Sequence, residues 1–82
     1  MLEPETVKSY IETSLECEFV AVEGDGQHFE AVIVSAAFRG QNRVRQHQTV
    51  YKALGDRMRA DIHALSMKTY TPEEWQQRAG ES

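Results

Sequence analysis

Three histidines, one cysteine and a run of basic side chains carry the binding chemistry of this 82-residue chain. His28 follows the turn sequence Gly24-Asp25-Gly26-Gln27, and His63 stands near the start of an alternating stretch, so both can lie at one end of a small sheet. Imidazole is a common ligand for zinc, copper and iron, but two histidines do not fill a coordination sphere. Further ligands would have to come from another molecule. Read from the residues alone, a non-ligand role is the simpler one for both, exposed for His28 and partly buried and hydrogen-bonded for His63. His47 falls among apolar positions at helical spacing, where a packed histidine is the simpler reading. Cys17 alone can form neither an internal disulfide nor a thiolate metal site, which leaves an intermolecular partner or a small, partly buried side chain.

A second kind of chemistry lies in the middle of the chain. Gly40 and the flanking Arg39, Arg43 and Arg45 stand at the start of a predicted helix, where backbone N–H groups and cationic side chains can both meet a phosphate. Lys52 continues the basic side, and Arg45, Lys52 and Arg59 recur every seven residues on the outward face. That spacing also suits an ordinary solvated ridge. No aromatic residues interleave with these bases to stack nucleobases. The sequence holds no Gly-rich phosphate loop, nucleophile elbow, His-Glu-x-x-His or Cys-x-x-Cys, and its carboxylates read as a solvated acidic face, so an enzyme is not expected.

Net charge is −4 but unevenly spread: residues 1–30 carry −7, residues 31–60 carry +5 and the remainder −2. Such a balance disfavours indiscriminate coating of DNA and leaves room for one local anionic partner. Hydrophobic residues at 40% and charged residues at 27% fit a globular chain, and 82 residues supply one core, hence a single domain over residues 1–82. The longest apolar-leaning run, Ala31 to Phe38, is far too short for a bilayer and no charged-then-apolar leader opens the chain, so a cytoplasmic protein with no membrane partner is expected.

These side chains need elements to hold them. Pro4, followed by Val7, Tyr10, Ile11 and Leu15, predicts a helix over roughly residues 4–15. Two short β-branched and aromatic runs, Glu18 to Glu23 and Phe29 to Ser35, flank Gly24-Asp25-Gly26, whose glycines supply positive φ, and together predict a β-hairpin. Phe38 to Asn42 reads as a turn, with Gly40 its permissive residue and Asn42 the N-cap of a long helix. Along that helix Val44, His47, Val50, Tyr51, Leu54 and Met58 form one apolar stripe, and Gly55 marks a possible end. Ile62 to Tyr70 alternates as a third strand, with His63, Leu65, Met67 and Thr69 on one face. Thr71-Pro72-Glu73-Glu74 is a capping box opening a last helix whose Trp75 folds onto the sheet. The order is αββαβα, an α+β fold with a three-stranded sheet covered by helices.

Several segments together resemble one family. They are Gly24 to Phe29, Val32 to Ser35 with Phe38 and Gly40, Gln46 to Tyr51, and above all Ile62 to Trp75 with its His-Ala-Leu and Thr-Pro-x-x-Trp elements. This pattern resembles the BolA family over nearly the whole chain, and within it the short bacterial IbaG-like branch. The resemblance implies a fold similar to class II KH domains. It also implies a monothiol glutaredoxin partner and a [2Fe–2S] cluster shared with that glutaredoxin and its glutathione, with no cluster in the isolated chain. His63 matches the family's C-terminal ligand histidine, and His28 is the nearby candidate for the second ligand in the short hairpin loop. An alternative implied role is DNA-binding transcriptional regulation in stress response. His47 matches the histidine of the family's Arg-His-Arg motif, with Gln46 and Gln48 here in place of the arginines.

Overall fold

A computed structural model describes residues 2–56 and 64–81. Pro4 starts helix α1 (Pro4–Ser14), where its missing N–H has no intrahelical partner to lose. Val7 and Ile11, one turn apart, are the side chains that α1 buries. Strands β1 (Phe19–Gly24) and β2 (His28–Val34) form the antiparallel hairpin, and β3 (Ala64–Tyr70) adds to β2 in parallel, giving the order β1-β2-β3. Helix α2 (Arg43–Leu54) lies on the crossover from β2 to β3, as a parallel connection requires.

Alternation along the strands gives the sheet two different faces. Val20, Phe29, Ala31, Ile33, Leu65 and Thr69 point toward α1 and α2 and are buried. The opposite face carries Phe19, Val34 and Tyr70 in one register row and Ala21, Val32 and Lys68 in the next. Helix α3 (Pro72–Glu81) covers only the first of these rows, with Trp75 stacked on Phe19 at 5.1 Å between ring centroids and tilted against Tyr70 at 5.4 Å. The Thr71–Glu74 capping box forms in both directions: Thr71 Oγ1 accepts from Glu74 N at 3.1 Å and Glu74 Oε1 accepts from Thr71 N at 2.9 Å.

The turn read at Phe38 to Asn42 forms, with Gln41 N donating to the Phe38 carbonyl at 3.1 Å, and a 3₁₀ segment, Ala36–Phe38, capped by the Ser35 hydroxyl, leads into it and delivers Phe38 into the core with no exposed surface. One expectation needs correction: the apolar stripe of α2 is rotated from the one predicted. Val50 and Leu54 are buried together with Gln46, and His47 is half-buried, whereas Val44 and Tyr51 are 66% and 42% exposed. Gln46 is tolerated inside because its amide is satisfied: Oε1 accepts from Thr69 Oγ1 at 2.7 Å and Nε2 donates to the Gln41 carbonyl at 2.9 Å. Gly55, at φ +58, caps the helix after Leu54. Met58, Arg59 and His63 lie outside the described residues.

Candidate functional site

His28 is the first residue of β2 and is exposed. Its position is fixed from the turn side by Asp25, whose Oδ1 accepts from the backbone N–H groups of Gln27 and His28, both at 2.9 Å. The His28 N–H, then that of Gln27, holds the Asp25 carboxyl below its ordinary range. Gly26 takes φ +99, as a tight turn needs. Gly24 serves a different purpose from the one its sequence suggested. A Cβ there would lie 2.5 Å from both the His28 carbonyl and the Phe29 ring, so the glycine lets the turn close onto Phe29.

Across the sheet His28 is in register with Ala64, the residue that follows His63 in the sequence. The hairpin therefore brings His28 to the end of the sheet where the third strand begins. Among the described residues no group of three or more His, Cys, Asp or Glu side chains could hold a metal ion. Cys17 lies elsewhere, after α1, with Sγ donating to the Leu15 carbonyl at 3.3 Å. Burial, then the nearby Glu12 carboxylate, pushes its thiol up to about 11.

The basic segment is arranged differently from a bare phosphate site. Gly40 takes φ +79 with open space on its side-chain side, and Asn42 Oδ1 caps α2 by accepting from Arg45 N at 2.9 Å. Arg39 and Arg43, however, are both engaged by the acidic first turn of α3. Arg39 Nε donates to Glu73 Oε1 at 2.8 Å in a two-pronged pair, and this hydrogen bond and its charge hold the Glu73 carboxyl below the usual carboxylate range. Arg43 lies 3.6 Å from Glu74 Oε2, donates to the Thr69 carbonyl and to Gln46 Oε1, and sits over the Tyr70 ring at 5.6 Å. Arg45 and Lys52 are exposed on the outer side of α2.

The sequence did not reveal Glu73 and Glu74 as partners of Arg39 and Arg43. The two glutamates were legible only as a helix start, and the separation of 34 positions between Arg39 and Glu73 concealed the contact. His47 forms the wall of a cleft of about 240 Å³ between α2 and β3, shared with Arg43, Met67, Lys68, Thr69 and Tyr70. Its Nε2 is buried and has no hydrogen-bond partner among the described residues.

Comparison with known proteins gives a consistent set of matches. Residues 1–74 match the family model described as BolA-like protein. The chain is 40% identical over 75 residues to the acid stress protein IbaG of Escherichia coli, covering 90% of this chain and 89% of that one. It is 34% identical to the DNA-binding transcriptional regulator BolA of Haemophilus influenzae, covering 84% of this chain and 77% of the relative. Among solved structures, a bolA protein homologue from Coxiella burnetii superposes with a TM-score of 0.83 at 47% identity, over 93% of this chain and 99% of that one.

Proposed function

Because the chain belongs to the BolA-like protein family, we propose that it partners a monothiol glutaredoxin and shares a [2Fe–2S] cluster with it, in iron–sulfur trafficking or iron regulation. The observation that carries this reading is the register pair His28↔Ala64, which sets an exposed imidazole beside the strand entry that His63 precedes in sequence. The donor chemistry fits the group: histidine nitrogen replaces thiolate on one iron of known [2Fe–2S] centres. When bound, the cluster would supply one-electron or cluster-transfer chemistry. His63 and His28 would be the ligands from this chain, and the glutaredoxin cysteine and its glutathione would provide the thiolates. The chain's own work is positional. The Asp25 turn and Gly24 hold His28 at the sheet end, and Cys17, with its raised thiol pKa, stays protonated and out of competition for iron.

Anaerobic co-purification with a monothiol glutaredoxin, read by visible absorption and circular dichroism, tests the reading. His63→Ala should remove the heterodimeric cluster signature and leave the fold intact, and His28→Ala should have an equal or smaller effect. A cluster spectrum unchanged in His63→Ala would refute histidine ligation.

DNA-binding regulation is the second reading, favoured by the printed name of the Haemophilus influenzae relative and by the +5 charge of residues 31–60. In this reading Arg39, Gly40, Arg43, Arg45 and Lys52 meet the phosphates. Arg39 and Arg43 would first have to exchange their Glu73 and Glu74 partners for those phosphates.

A further inference from the structure

The outer edge of β3 is unpaired among the described residues, and the direction of its backbone groups can be read from two contacts. Ser35 N donates to the Tyr70 carbonyl, so Tyr70 faces β2, whereas Arg43 reaches the Thr69 carbonyl from the opposite side. Alternation then turns the N–H and C=O groups of Leu65, Met67 and Thr69 outward, away from β2. Arg43 covers the Thr69 carbonyl, and no described residue pairs with the outward groups of Met67.

The helix beside this edge is unusual in the same direction. Val44, His47 and Tyr51 stand at i, i+3 and i+7 of α2, on the flank adjoining the cleft. Val44 and Tyr51 are exposed large hydrophobic side chains, and the buried His47 Nε2 has no hydrogen-bond partner among the described residues. At the Tyr70 end Arg43 and Lys68 line the cleft, and Arg43 and Arg78 line the adjoining hollow together with one carboxylate, Glu74, with Arg78 over the Tyr70 ring at 5.4 Å. Unpaired strand groups, an apolar flank and surplus positive charge therefore meet along one groove.

We infer that this groove takes up an extended acidic segment of a partner protein, which adds to β3 as a fourth strand. Main-chain hydrogen bonds to Leu65, Met67 and Thr69 hold the segment. Its alternate apolar residues lie against Val44, Tyr51 and the His47 ring. Carboxylates of the segment meet Arg43, Lys68 and Arg78. Charge selects this occupant over a second copy of the chain, because the β3 strand of a second copy, Ala64–Tyr70, holds no carboxylate to meet these cations. The inference is independent of the cluster reading, since neither His28 nor His63 takes part.

The test uses the full chain, labelled with ¹⁵N, and an acetylated ten-residue peptide of alternating glutamate and valine. On titration the Leu65, Met67 and Thr69 amides should shift and gain at least tenfold protection from hydrogen exchange. Met67→Pro deletes an outward N–H at an edge strand, where proline is tolerated, and should weaken binding at least tenfold. Val44→Glu, at a position 66% exposed and so without risk to the fold, should weaken it several-fold through charge repulsion and loss of the apolar contact. Three results would overturn the inference: amides unmoved at millimolar peptide, protection that grows with protein concentration alone, or protection by oligothymidylate and not by peptide.

Discussion

Cys17 is the residue whose chemistry is most fully determined by its surroundings. With its thiol pushed up to about 11 from an ordinary 9.0, its thiolate fraction at pH 8 is about 100-fold below that of a free cysteine. Alkylation by iodoacetamide should be correspondingly slow in the native protein and normal in urea. The same shift has a stability consequence of definite sign. A group that binds its proton more tightly when folded stabilises the fold below its unfolded value and loses that contribution as pH rises through the folded one. Urea midpoints of the wild type should therefore fall between pH 9 and 11 relative to Cys17→Ala, in the range set by those two values. Gly24 gives a second residue-scale prediction. Alanine there meets the His28 carbonyl and the Phe29 ring at 2.5 Å, and the displacement should cost about 1–3 kcal/mol in urea denaturation, the usual range for overpacking.

At the scale of elements, the first turn of α3 both starts a helix and restrains two arginines. Thr71→Ala removes the hydroxyl that receives the Glu74 N–H and should cost about 0.5–2 kcal/mol of stability. Glu73→Gln with Glu74→Gln keeps the capping geometry, since glutamine also serves at that position, and removes the carboxylates paired with Arg39 and Arg43. If the basic segment binds DNA, anisotropy titrations at several salt concentrations should show tighter binding by the double variant. The salt slope should steepen by roughly one unit per recovered phosphate contact. An unchanged affinity and slope would remove this surface from consideration. The helix starts were legible in the sequence because Pro4, Asn42, Thr71 and Glu74 act on their own immediate backbone. The facing of α2 was not. Hydropathy ranks Val44 and Tyr51 above Gln46, but Gln46 finds partners in Thr69 and Gln41, distant or out of sequence register, and burial follows those partners. Of the candidate site, the hairpin turn under His28 was readable from glycine and aspartate, whereas the Arg39–Glu73 contact depends on how α3 returns across the sheet.

For the whole molecule, few large side chains carry the core. Phe29 and Phe38 are its largest fully buried members, and α1, α2 and the sheet all contribute to the cluster around them. A chain of 82 residues has a folding stability of about 4–12 kcal/mol at typical values per residue. Phe29→Ala should cost about 3–5 kcal/mol, a large share of that total, so its urea midpoint should drop steeply or the variant should be partly unfolded in buffer. Phe29 also adjoins His28 and approaches Gly24, so the same loss would loosen the sheet end proposed to meet the cluster.

The stacking of α3 on the sheet also makes the protein its own spectroscopic gauge. Trp75 is the chain's single tryptophan, and its indole touches Phe19 from one outer strand and Tyr70 from the other. Those rings meet only when the hairpin has formed, the crossover has returned β3 to β2, and the terminal helix has docked. Intrinsic emission excited at the indole band should therefore respond only once the sheet is fully assembled. In stopped-flow refolding it should lag behind the far-ultraviolet signal of the helices by the time needed to close the parallel pair.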